Sequence, residues 1–223
     1  MPKENIENIR HSLAHLLAAA VLKLWPDAKP TIGPVIENGF YYDFEFPEPI
    51  SEDDLPKIEK KMREMLPTWD KFEREEISEK EAKKLFADNP YKLELIQEYA
   101  GQELTLYKSG DFVDLCRGGH VKSAKNIELE AFKLTSLAGA YWRGSEKNKM
   151  LTRVYGVAFE TKKELEEYLA TLEEAKKRDH RKLGKQLDLF TFSDLIGSGL
   201  PLYTPKGAFI RRALNEYIES LQT

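Results

Sequence analysis

Three of the four histidines in this chain and its single cysteine fall into two short motifs. The first motif is His11-Ser-Leu-Ala-His15, and the second is Cys116-Arg-Gly-Gly-His120. Imidazole nitrogens and thiol sulfur bind zinc, transfer protons and act as nucleophiles. These two motifs are therefore the strongest candidates for a reactive site.

The predicted secondary structure indicates how the motifs meet. His11 and His15 are four residues apart on a predicted helix, so both imidazoles project from one face. Cys116 follows a predicted strand, and Gly118-Gly119 allows the backbone to turn so that His120 lies beside the thiol. Taken alone, these residues fit a tetrahedral Cys/His₃ zinc site, a site that activates water for hydrolysis, or a thiol nucleophile paired with a histidine base.

The elements that carry the motifs follow from apolar periodicity and capping residues. Apolar residues at helical spacing predict a helix over Ile6–Leu24 that ends at Trp25-Pro26. Asn38-Gly39 predicts a hairpin between strands Thr31–Ile36 and Phe40–Phe46. Ser78 with Glu81 and Thr161 with Glu164 predict capping boxes at two further helices. Further helices are predicted from Ser51 to about Met65 and over Tyr91–Tyr99, and further strands over Lys71–Ile77, Leu104–Tyr107, Phe112–Leu115, Phe132–Thr135, Ala140–Trp142 and Leu151–Val157.

These elements predict an α+β fold with long helices packed on an antiparallel sheet. We expect a first domain over residues 1–160, a linker helix over 161–182, and a further segment over 183–223. Within the last segment, Gly199–Gly207 leads into an amphipathic helix that reaches Leu221.

Composition limits the class of protein. The 223 residues are 41% hydrophobic and 32% charged, as in a globular protein. No apolar run approaches the ~20 residues of a membrane span, and the first ten residues do not resemble a signal or transit peptide. A lone cysteine excludes an internal disulfide, so we expect a cytoplasmic protein without a membrane partner. The net charge of -4 argues against indiscriminate nucleic-acid binding, although the basic cluster Lys176–Lys185 could contact RNA or complement a helix dipole.

The motifs together resemble the second additional domain shared by threonyl- and alanyl-tRNA synthetases, and the resemblance extends over nearly the whole chain. Four stretches are similar to the threonyl branch: His11–Leu17, Ile32–Asp43, Asp114–His120 and Gly139–Gly144. The alanyl branch more typically has Cys-Gly-Gly-Thr-His at the second motif. Arg178–Phe190 resembles the entry to the class II aminoacylation domain, and Gly199–Gly207 resembles its motif 1.

The resemblance implies an editing enzyme that hydrolyses the aminoacyl ester of mischarged seryl-tRNA(Thr). It implies a catalytic set consisting of His11, His15, Lys92, Asp114, Cys116 and His120. Tyr42, Gly33 and Arg117 are the implied substrate-binding residues. Lys92 is expected to donate to the ester or ribose oxygens, and Asp114 to bind the substrate ammonium group.

The resemblance also implies cofactors and partners. We expect editing without a required metal, with zinc at His11, His15, Cys116 and His120 as the less favoured alternative. ATP, magnesium and a separate zinc belong to the full-length synthetase, because motifs 2 and 3 have no counterpart here. The expected partners are the tRNA(Thr) acceptor end with its serine moiety and, in the full-length enzyme, a second copy. The rival hypotheses are an alanyl-type trans-editing deacylase and a zinc-stabilised tRNA-binding module.

Overall fold

A computed structural model describes residues 5–197 and 199–222. Residues 1–4 of the predicted 1–160 domain, and residues 198 and 223 of the predicted 183–223 segment, therefore lie outside the described residues. The chain divides into two compact units between Leu165 and Glu166. The candidate site residues all lie in the first unit.

The fold is α+β, as predicted, and the sheets are antiparallel. The helices are α1 (Ile6–Leu24), α2 (Leu55–Met65), α3 (Glu79–Leu85), α4 (Pro90–Glu98), α5 (Lys162–Lys177), α6 (His180–Gln186) and α7 (Pro205–Gln222). The strands are β1 (Lys29–Pro30), β2 (Val35–Ile36), β3 (Gly39–Glu45), β4 (Glu73–Ile77), β5 (Leu104–Ser109), β6 (Phe112–Leu115), β7 (Phe132–Tyr141), β8 (Met150–Ala158), β9 (Phe190–Thr191) and β10 (Leu202–Tyr203).

Two sheets of the first unit position the candidate site. The larger sheet has the order β1-β3-β8-β7, and β2 also pairs with β3. The smaller sheet has the order β4-β5-β6. In the second unit, β9 and β10 form a two-stranded sheet.

Helix α1 is the centre of the core. It contacts α2 and the β3 strand of the larger sheet, and its residues from Ser12 to Val21 are all buried. The Asn5 side chain caps its first turn by accepting from the Glu7 N–H at 3.0 Å. Apolar burial of one helix over three turns stabilises it far more than its intrinsic propensity does. Its position is therefore fixed, and the two histidines on it are fixed with it.

Most local predictions are confirmed by the structure. α1 has the predicted bounds, and both predicted capping boxes are present, at Ser78 with Glu81 and at Thr161 with Glu164. The predicted hairpin is present, but its turn is Glu37-Asn38 instead of Asn38-Gly39: Asn38 has φ 61°, and Gly39 is the first residue of β3.

Two strand predictions differ from the structure. Only Val35–Ile36 (β2) of the predicted strand Thr31–Ile36 is a strand, because Pro34 just before it has no N–H to donate, and β1 lies before the predicted segment. The predicted strands Phe132–Thr135 and Ala140–Trp142 are a single strand, β7, with a bulge between Leu134 and Ser136. Small residues in this stretch resemble a turn, but pairing with β8 continues along it.

None of the helices in the described part of the chain is both long and apolar enough to cross a membrane. Helix α7 of the second unit instead has exposed apolar side chains, which include Phe209, Leu214, Tyr217, Ile218 and Leu221.

Candidate active site

The two motifs meet in the structure. The Cys116 sulfur lies 3.4 Å from His11 Nε2 and 3.3 Å from His120 Nε2. The His120 ring centroid lies 4.3 Å from those of both His11 and His15. His15 is only 3% exposed, and its ring packs edge-on against Phe112. The two histidines on one face of α1 therefore lie against the Cys116–His120 loop, as expected.

The loop after β6 folds back because of its two glycines. Gly118 has φ 110° and Gly119 has φ 91°, which residues with a Cβ rarely adopt. A Cβ on Gly118 would lie 2.7 Å from the Tyr107 hydroxyl oxygen. The Gly118 N–H instead donates to the Cys116 sulfur at 3.3 Å. The two glycines thus bring His120 back towards α1 and tie the turn to the thiol.

Burial lowers the pKa of all three imidazoles and so favours their neutral form. Desolvation lowers the pKa of His11, and the Gly119 backbone offsets part of this effect. The pKa of His15 is lowered further, because desolvation acts together with the nearby His11 and Lys92 charges. The pKa of His120 is also lowered, first by desolvation and then by His15 and His11. A neutral imidazole can accept a proton from water, which an imidazolium cannot.

Burial shifts the pKa of the Cys116 thiol upwards, in the opposite direction to the histidine pKa values. Desolvation raises the pKa of Cys116 to about 12, and the hydrogen bond from the Gly118 backbone lowers this pKa only in part. The thiolate is the nucleophilic form of cysteine, so a protonated thiol is a poor nucleophile at neutral pH. This environment favours Cys116 as a pocket contact.

A second buried polar group lies beside the imidazoles. The Lys92 ammonium pairs with the Asp114 carboxylate, and their side chains are 2% and 4% exposed. Tyr42 donates to Asp114 Oδ2 at 2.5 Å, and Lys92 Nζ donates to the Tyr42 hydroxyl at 3.3 Å. Asp114 Oδ1 also accepts from the Leu115 N–H at 2.8 Å. Burial and the Asp114 charge together raise the pKa of Tyr42 well above its usual value.

The two groups form one electrostatic unit. The Lys92 charge contributes to the low pKa of His15, and the Asp114 charge opposes the lowering at His11 and His120. The six residues predicted as catalytic are therefore brought together. A neutral imidazole can accept a proton, and a buried ammonium group can stabilise negative charge that develops beside it.

Lys92 is held in place by the surroundings of α4. Asn89 caps this helix by accepting from the Tyr91 and Lys92 N–H groups at 3.1 and 3.2 Å. The Trp142 indole donates to Glu94 on the next turn at 2.8 Å, and Arg143 pairs with the same carboxylate. The Gly139–Gly144 stretch thus fixes the helix that carries the buried lysine.

The predicted substrate-binding residues occupy different environments. Tyr42 is buried in the polar group already described, and Gly33 packs directly on its ring, where a Cβ would lie 2.2 Å from the Tyr42 Cδ2 atom. Arg117 is exposed, with its guanidinium 4.4 Å from the Tyr99 ring centroid. A cavity of about 200 Å³ between Arg117, Cys116 and Ile32 opens beside the cluster.

The cluster is also compatible with a metal. Ligand atoms from His11, His15, Cys116 and His120 all lie within 4.8 Å of one another. Tetrahedral zinc with one sulfur and three nitrogen ligands separates the sulfur from each nitrogen by about 3.5 Å, close to the observed 3.3 and 3.4 Å. The donor set and spacing therefore fit zinc as well as a metal-free site.

Ser12 and Phe72 are among the contributors that were not predicted. The Ser12 hydroxyl lies 3.2 Å from His120 Nδ1, and the Phe72 ring stacks on the His120 ring at 4.7 Å. Ser12 had one weak signal in the sequence, since it is a polar residue on an otherwise apolar helix segment. Phe72 had none, because only the tertiary fold brings the start of β4 over this loop.

The chain is similar to known proteins in two ways. Residues 104–155 match the family model described as the threonyl and alanyl tRNA synthetase second additional domain. This match contains β5, β6, the Cys116–His120 loop, β7 and most of β8.

Nearly the whole chain is similar to part of a set of threonine–tRNA ligases. The relative from Geobacter sp. (strain M21) is 56% identical over 216 residues, which are 96% of this chain and 34% of the relative. The Borreliella burgdorferi (strain ZS7) protein is 56% identical over 93% of this chain and 36% of its own length. The Rubrobacter xylanophilus protein is 52% identical over 99% and 34%. The chain thus spans about a third of the length of these relatives.

Proposed function

We propose that this chain hydrolyses the aminoacyl ester of seryl-tRNA(Thr), as the editing part of a threonine–tRNA ligase. The observation that carries the proposal is the packing of the α1 histidines against the Cys116–His120 loop, beside the buried Lys92–Asp114 pair. Similarity to threonine–tRNA ligases over nearly the whole chain supports this substrate.

The need for such a site follows from the size of the substrates. Threonine and serine differ by one methyl group, from which a binding pocket gains only about 1–3 kcal/mol. A second site that is too small for threonine can remove the errors. The three imidazole rings are 4.3 to 5.2 Å apart, and Phe72 and Phe112 pack against them. Such close packing favours a pocket that admits the serine side chain and excludes a β-methyl.

The proposed chemistry is attack of water on the ester carbonyl carbon. A neutral imidazole accepts the proton of the attacking water, negative charge develops on the carbonyl oxygen, and the terminal ribose oxygen leaves with a proton. His15, which packs against the His11, His120 and Phe112 rings, would hold the attacking water and accept its proton. Lys92 then donates to the ester or ribose oxygens, and Asp114 accepts from the substrate ammonium group through its remaining lone pairs.

We propose that no metal takes part in this reaction. The protonated thiol and neutral imidazoles are satisfied by one another through contacts of 3.3 and 3.4 Å. Zinc bound to this set would supply Lewis acidity at the same place. Chelator-treated protein is expected to retain hydrolysis, whereas activity that requires stoichiometric zinc would favour the metal-dependent alternative.

The proposed partners extend beyond the site. The acceptor end of tRNA(Thr) would reach the cluster from the side of the exposed Arg117 and the adjoining cavity. We also propose that residues 183–223 form the start of a class II aminoacylation domain. The exposed apolar side chains of α7 support a second copy as the partner in the full-length enzyme.

Deacylation of seryl-tRNA(Thr) tests the proposal. The wild-type chain is compared with a His11→Ala/His15→Ala double variant, and His180→Ala serves as the control because His180 is exposed and outside the cluster. We expect loss of hydrolysis only in the double variant, with its fold retained by circular dichroism. A double variant that unfolds would favour the zinc-stabilised binding module. Hydrolysis of seryl- or glycyl-tRNA(Ala) in place of seryl-tRNA(Thr) would favour the alanyl-type deacylase.

A further inference from the structure

Ser12 lies between the two motif histidines and has no role in the chemistry described so far. Its side chain is fully buried, and its hydroxyl oxygen has two neighbours among the described residues. The Val121 N–H donates to this oxygen at 3.1 Å, and His120 Nδ1 lies 3.2 Å away. Ser12 thus joins α1 to the residue after the Cys116–His120 loop and to the imidazole of that loop.

The donors and acceptors at Ser12 determine where its proton lies. A serine hydroxyl has one proton to donate and two lone pairs to accept with. One lone pair receives the Val121 N–H. Within the described residues, His120 Nδ1 is the sole acceptor in hydrogen-bond reach of the proton. A buried hydroxyl that does not donate a hydrogen bond destabilises the folded chain, so the proton points to His120 Nδ1.

This direction determines the tautomer of His120. A neutral imidazole carries its proton on one nitrogen and accepts with the other. If Nδ1 accepts from Ser12, the ring proton is on Nε2, which lies 3.3 Å from the Cys116 sulfur. The sulfur then receives N–H groups from both His120 and Gly118. Its own proton faces His11 Nε2 at 3.4 Å, which is nearer than the Gly118 carbonyl oxygen at 3.9 Å.

We propose that Ser12 is a positioning residue that holds His120 as the Nε2–H tautomer and thereby directs the Cys116 proton towards His11. The hydrogen bonds then run in one direction, from Ser12 through His120 and Cys116 to His11. His15 remains outside this chain of hydrogen bonds. The role of His15 in hydrolysis depends on the proposed function, whereas the tautomer of His120 does not.

The arrangement also bears on metal binding. A nitrogen that carries a proton cannot ligate zinc, so ligation through His120 Nε2 needs the other tautomer, with Nδ1–H donating to Ser12. The Ser12 proton would then have no acceptor among the described residues. Ser12 therefore favours the metal-free form of the cluster.

The test measures the tautomer directly by NMR on metal-free protein with ¹⁵N-labelled histidine. The chain has four histidines, so the spectrum is simple, and His120→Gln assigns the relevant ring. We expect the Nε2–H form for His120 in the wild type. A wild-type ring protonated on Nδ1 would overturn the proposal without any variant and without any substrate.

Two variants isolate the hydroxyl. Ser12→Ala should reduce the preference for the Nε2–H form about fivefold, which is the effect of one hydrogen bond of about 1 kcal/mol on an equilibrium, and Ser12→Thr should restore it. Thr31→Val is the matched control, because it removes another fully buried hydroxyl, one that donates to the Asp43 carbonyl at 3.1 Å. An unchanged tautomer in folded Ser12→Ala protein would contradict the proposal. A wild-type chain that has the Nε2–H tautomer but does not hydrolyse seryl-tRNA(Thr) would instead count against the proposed function.

Discussion

The ammonium group of Lys92 and the carboxylate of Asp114 form an ion pair in which both side chains are almost completely buried. Removal of one partner leaves a buried charge without compensation, which typically costs about 3–5 kcal/mol. Lys92→Met should therefore lower the free energy of unfolding by about that amount, measured by chemical denaturation. The double variant Lys92→Met/Asp114→Asn should recover part of the loss, since asparagine is neutral and still accepts from Tyr42. Equal midpoints for wild type and Lys92→Met would show that the pair is not buried as described.

A second prediction concerns the contact between Gly33 and Tyr42. A Cβ at Gly33 would lie 2.2 Å from the Tyr42 ring, which is fixed by its bond to Asp114. Gly33→Ala should destabilise the chain by about 1–3 kcal/mol, as overpacking does, and should reduce hydrolysis because Tyr42 is displaced. The control is Gly139→Ala, where the nearest atom is the flexible end of the exposed Met150 side chain. The two variants should differ clearly in thermal unfolding, and equal effects would argue against a specific contact.

The third prediction concerns stability as a function of pH. The pKa values of His11, His15 and His120 are lowered from 6.5 in the folded chain, mainly by burial. Between the folded and unfolded pKa values the unfolded chain binds more protons, so acid favours unfolding. The stability from these groups should be complete above about pH 7 and should fall as the pH drops below 6.5, by up to about 1.4 kcal/mol per pH unit for each histidine.

Variants assign this pH dependence to the cluster. His15→Gln should reduce the slope of unfolding free energy against pH between pH 5 and 6.5, because one buried group no longer titrates. His180→Gln should leave the slope unchanged, since His180 is exposed. A wild-type slope of zero over this range would mean that the folded and unfolded chains bind equal numbers of protons, and so that the pKa values of the three histidines are not lowered by folding.

The fourth prediction concerns the role of the thiol. Burial raises the pKa of Cys116 to about 12, so the nucleophilic thiolate is scarce at neutral pH. Cys116→Ala should therefore lower the hydrolysis of seryl-tRNA(Thr) by less than about tenfold, whereas loss of a true covalent nucleophile costs on the order of 10⁶-fold in well-studied hydrolases. Mass spectrometry of quenched reactions should find no seryl thioester on the protein. A thioester that forms and decays at the rate of turnover would establish the covalent route.

The sequence predicted the parts of this fold that depend on neighbouring residues. The bounds of α1 and the capping boxes at Ser78 and Thr161 depend on residues at most a few positions apart. Pairing of β3 with β8, which sets Tyr42 opposite Val154, joins residues more than a hundred positions apart and had no local signal. The β7 bulge was missed for a related reason, since its small residues resemble a turn until β8 pairs with them.

The same distinction applies to the candidate site. The His11–His15 spacing and the Gly118-Gly119 turn were sufficient to predict two motifs that could meet. Lys92 and Asp114 were predicted as site residues only from the resemblance to a family, because nothing in their local sequence shows that they are buried together. The role of Ser12 could not be predicted from the sequence, since it depends on two hydrogen bonds to residues 108 and 109 positions away.

The most direct measurement of the central claim is the ratio of two single-turnover rates, one for seryl-tRNA(Thr) and one for threonyl-tRNA(Thr), with the wild-type chain in excess. If the closely packed imidazoles form a pocket that admits serine and excludes the β-methyl, the seryl ester should be hydrolysed roughly a hundredfold faster or more, as a second sieve requires. Equal rates for the two esters, or a seryl rate no higher than that of the His11→Ala/His15→Ala variant, would contradict it.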